Sequence, residues 1–191
     1  MEMAEKTDRR TLKTRKAICE ALAGLLTEKE LRKVTVQEIA DKADVNRVTF
    51  YKHYLDVYDL YDKIEEETLV ELGLLVLKLE ELPPKEFFNN LTDYILENKA
   101  VFTLMFCPNS TGQLRDKFSK CLEGLFLKLE SEKQKVALKD TLLLYRICYR
   151  TQGCIAVLSK WVTNGFTEPT DFIVKTLSEL DVNTEKLISA K

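Results

Sequence analysis

The sequence is poor in the residues that break helices and in the residue that most often binds transition metals. Among its 191 residues there are six glycines, four prolines and a single histidine, His53. So few glycines and prolines argue against an all-β fold, which needs many tight turns. A single histidine argues against a histidine-rich metal site, and we predict neither a metal nor another cofactor.

Cysteine is present but follows no pattern of a disulfide framework. The five cysteines are an odd number, they are widely spaced, and no two form a Cys-x-x-Cys pair. This usage is typical of reduced thiols in a cytoplasmic protein. The first residues resemble no signal peptide, and no apolar run is long enough to cross a bilayer. The sequence therefore predicts a cytoplasmic protein with no membrane partner.

Common signatures of catalysis are also missing. The sequence has no glycine-rich phosphate loop, no paired carboxylates in an apolar setting, and no second histidine for acid–base work. We therefore predict no catalytic residue and do not expect an enzyme.

Charge is unevenly distributed along the chain. Residues 1–55 contain 12 basic and 9 acidic residues, whereas residues 56–191 contain 17 and 22. A basic N-terminal part followed by an acidic remainder suggests that only the N-terminal part binds a polyanion.

Apolar residues recur at helical spacing nearly throughout the chain, and no segment resembles a strand. The breaks fall at Pro83-Pro84, Pro108-Asn109 and Asn164-Gly165. The pattern predicts an all-α fold of about nine helices. We expect a three-helix domain at residues 1–55 and a larger helical domain at residues 56–191, whose first helix, starting at Asp56, connects the two.

Two short helices joined by a tight turn are predicted within residues 35–54. Thr35 and Glu38 have the spacing of a capping box at the first helix, and Asn46 is a good N-cap for the second. With the longer helix in front, this arrangement is a helix-turn-helix. We expect Val45, Phe50 and Tyr54 to be buried against the first helix.

The opposite surface of the second helix suits double-stranded DNA. Arg47 lies in the first turn and can donate two hydrogen bonds to guanine, and Val48 can contact a thymine methyl group. Thr49, Tyr51 and His53 carry donors for phosphate oxygens, and Lys52 suits either role. The alternative is a helical hairpin with a solvated polar face. The predicted DNA-binding residues are Thr35, Gln37, Arg47, Val48, Thr49, Tyr51, Lys52 and His53.

The segment Thr49-Phe50-Tyr51-Lys52-His53-Tyr54 resembles the recognition helix of TetR-type regulators, and residues 34–40 resemble the helix before it. The resemblance covers about residues 10–60. It implies a homodimeric transcription regulator that dimerises through its last two long helices, here about residues 140–162 and 169–181. The Asn-Arg-x-Thr-Phe-Tyr form, with Lys160-Trp161 farther on, resembles the branch that includes dihydroxyacetone-kinase regulators.

Three positions depart from the family pattern. Asp44 stands in the turn where glycine is common, and Val48 stands where a small residue is common. Leu55-Asp56-Val57 supplies no lysine at the start of the fourth helix, where many members contact phosphate. Either the affinity for the DNA backbone is lower, or basic residues of the first helix replace that contact: Arg9, Arg10, Lys13 and Arg15.

The resemblance also implies an effector pocket in the body, formed by apolar and aromatic side chains. Ordinary core packing is the alternative for each of them. Arg146 and Arg150 share a helix face, and they either pair with acids such as Glu123 or Glu130 or anchor an anionic effector. The candidate pocket residues are Phe102, Met105, Phe106, Phe118, Tyr145 and Tyr149.

We expect a repressor that binds a palindromic operator and responds to an unidentified small molecule. The alternative is a coactivator or adaptor of the same fold that a protein partner controls. A body without a ligand-sized cavity would favour that alternative.

Overall fold

The computed structural model describes residues 2–79, 82–135, 138 and 140–189. Within these ranges the chain forms nine α-helices, one 3₁₀ helix at Leu31–Lys33 and no strand, which confirms the all-α prediction. No described helix is both long and apolar enough to cross a membrane. The helices are α1 (Glu2–Leu26), α2 (Val36–Lys42), α3 (Arg47–Tyr51), α4 (Val57–Leu79), α5 (Pro84–Glu97), α6 (Lys99–Phe106), α7 (Gln113–Gln134), α8 (Thr141–Thr163) and α9 (Thr170–Ser189).

The chain divides into two compact units. The first contains Met1–Thr68 and Ala100–Gly112, and the second contains Leu69–Lys99 and Gln113–Lys191. The first unit therefore extends beyond the expected boundary at residue 55 and also includes the later segment Ala100–Gly112. Two hydrogen bonds to the carbonyl of Leu26, at the end of α1, attach this later segment to the first unit. Cys107 Sγ donates one at 2.8 Å, and Asn109 Nδ2 donates the other at 2.8 Å.

In the first unit, one apolar face of α1 is the centre of the core. Ile18, Leu22 and Leu26 on α1 are fully buried, as are Ile39 on α2 and Leu60 on α4. Ile18, Leu22 and Leu26 are four residues apart along α1, a spacing that places side chains on one helix face. This buried face lies in the second half of α1, which begins at Glu2.

In the second unit, α8 packs against both α7 and α9, and α5 packs against α9. Phe88, Phe118, Leu158 and Trp161 are fully buried in this core. α8 ends where the sequence predicted, because Gly165 follows it with φ 70°, the left-handed conformation that closes a helix.

Candidate nucleic-acid interface

The start of α2 is fixed by the predicted capping box. Thr35 Oγ1 accepts from the Glu38 backbone N–H at 3.3 Å, and the Glu38 carboxylate accepts from the Thr35 N–H at 3.0 Å. Lys29 also pairs with Glu38. The hydrogen bonds from Lys29 and Thr35 stabilise the carboxylate and lower the pKa of Glu38 to about 2.

The turn between α2 and α3 contains the expected strained position. Asp44 has φ 52°, which is the left-handed conformation that glycine adopts without cost. The Val45 N–H donates back to the Ala40 carbonyl at 2.9 Å and reverses the chain. The aspartate therefore adopts the turn of the family pattern at a cost in backbone energy.

α3 begins where the sequence predicted, after the cap residue Asn46. The Asn46 side chain caps it by accepting from the Val48 N–H at 2.8 Å. Phe50 and Tyr54 are buried, with their ring centroids 5.6 Å apart, and Val45 is half-buried. These contacts leave the opposite side of a five-residue helix free to face outward.

That outward side carries most of the predicted DNA-binding residues. Val48 is 64% exposed and Tyr51 is 49% exposed, although both have large apolar surfaces. Arg47 and Lys52 are also exposed, whereas the remaining two residues of this segment, Thr49 and His53, are half-buried.

The two candidates at the start of α2 are exposed as well, and both are already hydrogen-bonded: the Thr35 hydroxyl donates to Glu38 Oε2 at 2.8 Å. Gln37 Nε2 donates to Asp41 Oδ1 at 2.6 Å. A contact from Gln37 to DNA therefore requires this hydrogen bond to be exchanged.

The segment after α3 is attached to α1 and α4. Arg15 Nε donates to the Tyr54 hydroxyl at 3.3 Å, and the same guanidinium pairs with Glu67. The hydrogen bonds to Glu67 and Tyr54 raise the pKa of Arg15 above its usual value. Sequence reasoning missed this network because Arg15 lies 39 and 52 residues from its partners. Arg15 therefore has a structural role within the protomer, while Arg9, Arg10 and Lys13 are exposed.

The start of α4 carries carboxylates rather than a basic side chain. Asp56 Oδ1 accepts from the Asp59 N–H at 2.8 Å, and Asp59 Oδ2 accepts from the Leu55 N–H at 2.8 Å. The hydrogen bonds from the Leu55 N–H and from Lys63 lower the pKa of Asp59. Lys63 also donates to the His53 carbonyl at 3.2 Å, so this lysine supports the end of the α3 segment.

The six candidate pocket residues do not share one environment. In the first unit, Phe102, Met105 and Phe106 are buried, and in the second unit Phe118 is buried. Tyr145 and Tyr149 are 75% and 73% exposed on α8, so neither is enclosed by the chain itself, and their place in an effector pocket stays a prediction. The helical spacing in the sequence agrees with this exposure. The buried positions of α8 recur at Leu143, Ile147, Thr151 and Cys154, and neither tyrosine lies on that stripe.

Arg150 is paired with carboxylates on two other helices. Its Nε and Nη2 donate to the two carboxylate oxygens of Asp181 at 2.6 and 2.7 Å, and Nη1 donates to Glu130 at 3.1 Å. Its guanidinium also lies 4.3 Å from the ring centroid of Phe126. The predicted pairing with Glu130 is confirmed, and the interaction with Asp181 is an addition. With two carboxylates as partners, Arg150 is a structural residue rather than an anchor for an anionic effector.

A shallow groove runs over this cluster between α8 and α9. Its volume is about 120 Å³, and its walls include Tyr149, Gly153, Cys154, Leu177 and Leu180. Pockets for small-molecule ligands usually measure about 300–1,000 Å³. Within the part of the chain that the structure describes, no group of His, Cys, Asp or Glu could hold a metal ion.

Comparison with known families gives two matches. The model described as bacterial regulatory proteins of the tetR family matches residues 18–62, and a transcriptional regulator C-terminal region matches residues 83–181. An uncharacterized HTH-type transcriptional regulator of Bacillus subtilis strain 168, YxbF, is 31% identical over 72 residues. That match covers 37% of this chain. It covers 19% of the relative, so the chain spans about a fifth of the length of that relative.

Two solved structures share the fold at low sequence identity. The fatty acid degradation regulator FadR from Bacillus halodurans has a TM-score of 0.63 at 16% identity, covering 87% of this chain and 93% of its own. The dihydroxyacetone kinase operon activator DhaS has a TM-score of 0.59 at 19% identity, covering 92% and 96%. Likeness at this level establishes the fold, and the predicted placement in the dihydroxyacetone-kinase-regulator branch stays a prediction.

Proposed function

Because the chain belongs to the TetR family of bacterial transcriptional regulators, we propose that it is a ligand-responsive repressor that binds a palindromic operator as a homodimer. The observation that carries this proposal is the outward face of α3, where exposed basic, aromatic and aliphatic side chains lie beside each other. We expect the protein to act in the cytoplasm, where bacterial DNA is found.

In this proposal α3 lies in the major groove. Arg47, in its first turn, donates to the edge of a guanine, and the exposed Val48 contacts a thymine methyl group. Lys52, at the end of the helix, contacts either a base or a phosphate. Thr49, Tyr51 and His53 donate to phosphate oxygens on the two sides of the groove.

The residues at the start of α2 extend the contact along the DNA backbone. Thr35 and Gln37 are exposed there, and the capping box holds the helix end in place. On α1, the exposed Arg9, Arg10 and Lys13 supply the phosphate contacts that the acidic start of α4 does not. These contacts neutralise phosphates and release counterions, so affinity falls as salt rises.

Base recognition is tested by selecting bound sequences from random DNA and measuring affinity by fluorescence anisotropy. We expect Tyr51→Ala, His53→Ala and Arg47→Ala all to weaken binding to every sequence, and Arg47→Ala to change which sequences bind. Lys120→Ala, at an exposed position of α7, is the matched control and leaves binding unchanged. Unchanged affinity and preference in all three α3 variants would overturn the proposed DNA contacts.

The proposed dimer interface is formed by α8 and α9. Leu142, Tyr145 and Tyr149 on α8 and Phe172 and Leu180 on α9 are large apolar side chains, and all of them are exposed. A large exposed apolar patch on a soluble protein marks an interaction surface. A second copy that contributes the same two helices forms a four-helix interface with two-fold symmetry.

Gly153 lies four residues after Tyr149, on the same side of α8. It is an exposed glycine inside α8, where glycine costs about 1 kcal/mol relative to alanine. A Cβ atom built at this position meets nothing within 4 Å, so packing within the protomer gives no reason for a glycine. A glycine at this position leaves room for the helix of a second copy to lie close to α8.

The dimer is tested with a matched pair of glycine substitutions. Gly124 on α7 is also helical and exposed, and a Cβ there also meets nothing within 4 Å. We expect Gly153→Leu to convert the dimer to monomer in sedimentation velocity, whereas Gly124→Leu leaves it intact. A monomeric wild type, or equal behaviour of the two variants, would contradict the interface.

Regulation follows from the geometry of a dimer on DNA. The two recognition helices must lie one DNA turn apart, about 34–36 Å, or a multiple of it. An effector that binds better to a form with another separation shifts the population away from the DNA-bound form. α4 contributes residues to both compact units, so we propose that it transmits this change.

A second candidate is a regulator controlled by a protein partner, because the groove between α8 and α9 does not by itself have the volume usual for a small-molecule pocket. At about 120 Å³ the groove is smaller than the usual pocket for a small molecule. A thermal-shift screen with metabolites and acyl-coenzyme A compounds distinguishes the two. A compound that stabilises the protein and releases it from its selected DNA supports the ligand-responsive form, and no such compound favours the partner-controlled form.

A further inference from the structure

The exposed face of α3 contains an arginine stacked on a tyrosine. The Arg47 Cζ atom lies 5.9 Å from the ring centroid of Tyr51. The two residues are four apart in the helix, so their side chains lie on one face. A guanidinium within about 6 Å of an aromatic centroid is attracted to the face of the ring.

The Tyr51 ring is itself held by the core. It packs edge-to-face on Phe50, with centroids 5.7 Å apart and planes at 88°. Phe50 is fully buried and contacts the buried Tyr54 in turn. The ring of Tyr51 therefore rests on a buried side chain along one edge, although half of the residue is exposed.

Arg47 is available for a ligand. It is exposed, and none of the ion pairs described in the structure involves it. A free arginine side chain loses much rotamer freedom when it is fixed against a base, which weakens binding. Stacking on Tyr51 limits that freedom before DNA is bound.

We propose that Tyr51 is a positioning residue that sets base preference through Arg47, separately from any contact of its hydroxyl group with a phosphate. This inference rests on the proposed function, because it requires α3 to lie in the major groove. It assigns two separable roles to one side chain. The hydroxyl strengthens binding to all sequences, and the ring directs the guanidinium toward one base pair in each half-site.

Substitutions at Tyr51 separate the two roles. Tyr51→Phe keeps the ring and removes the hydroxyl, Tyr51→Trp keeps an aromatic face, and Tyr51→Leu removes the face. We select bound sites from random DNA for each variant and for Arg47→Ala. We then measure the affinity ratio between the best site and a site changed at the base pair whose preference Arg47→Ala loses.

We expect the affinity ratio of Tyr51→Phe and Tyr51→Trp to match that of the wild type, while the affinity of Tyr51→Phe falls on all sites. Tyr51→Leu is expected to lower the ratio by about two- to fivefold per half-site, the effect of an exposed cation–π contact. In the Arg47→Ala background, Tyr51→Leu should change the ratio no further, which a merely structural role of Tyr51 does not predict.

Each outcome decides between the inference and its alternatives. A wild-type ratio in Tyr51→Leu, a Tyr51→Phe ratio as low as that of Tyr51→Leu, or an added loss in the double variant overturns the positioning role. Thermal unfolding of each variant shows whether it is folded. If Tyr51→Leu does not fold, the affinity ratio of Tyr51→Trp decides, and a value below that of the wild type overturns the positioning role. A wild type that selects no sequence would refute the proposed DNA binding itself, whereas the outcomes above leave that function standing.

Discussion

Removing the Arg150 guanidinium is expected to cost the second unit much of its stability. Arg150 is 9% exposed, and Glu130 and Asp181 are 2% and 4% exposed. In Arg150→Met the side chain keeps much of its apolar volume, but the two carboxylates lose their shared partner. Leaving such charges buried without that partner usually costs about 3–5 kcal/mol.

That cost corresponds to a fall in melting temperature of about 6–20 °C, at about 2–4 °C for each kcal/mol in a chain of this length. Trp161 is the single tryptophan of the chain and lies buried in the same unit, so its fluorescence reports this transition. Urea unfolding followed by this signal gives the change in the free energy of unfolding.

The matched control is Lys175→Met, which breaks the exposed ion pair of Lys175 with Glu179 on α9. Such pairs contribute about 0–1 kcal/mol. If Arg150→Met and Lys175→Met lower stability equally, the assignment of Arg150 as a structural residue is refuted. The triple change Arg150→Met, Glu130→Gln, Asp181→Asn should recover part of the loss, because it removes the buried negative charge.

Two further predictions concern α2 and its turn. The pKa of Glu38 is lowered in the folded state, so its contribution to stability is present above about pH 4.3, the ordinary glutamate value, and is lost as the pH falls towards about 2. Glu38→Gln should therefore flatten the acid side of the stability profile measured by circular dichroism, and an unchanged profile would contradict the capping box. Asp44→Gly should raise stability by up to about 1 kcal/mol in thermal unfolding, because glycine relieves the left-handed strain. Asp41→Gly, inside α2, should lower it by about 1 kcal/mol, and equal effects of the two would refute the strain at Asp44.

Helix boundaries fixed by local chemistry were predictable from the sequence. The capping box of Thr35 and Glu38, the Asn46 cap and the left-handed Gly165 all depend on residues within a few positions of each other. The start of α1 was not predictable in the same way, because no capping signal precedes the helix.

Interactions between distant residues were beyond the sequence. Arg150 lies 31 residues from Asp181, and Arg15 lies 52 residues from Glu67, so no spacing rule connects them. Residue type alone does not tell which side of α8 Tyr145 and Tyr149 occupy, because an aromatic side chain in an apolar helix can face inward or outward. The DNA-binding residues remain a prediction, supported by the exposure of Arg47, Val48, Tyr51 and Lys52.

The most direct test of the account is to map where α3 lies on DNA. An iron–EDTA cleavage reagent attached through Val48→Cys, in a Cys148→Ser background that removes the exposed native thiol, cuts DNA near its point of attachment. On the selected site we expect two cleavage centres about 10–10.5 base pairs apart, or a multiple of that spacing. The Cys148→Ser protein treated in the same way should not cut. A bound protein that gives no cleavage from position 48, or the same cleavage when the reagent is attached through Lys120→Cys on α7, would contradict the claim that α3 binds the groove.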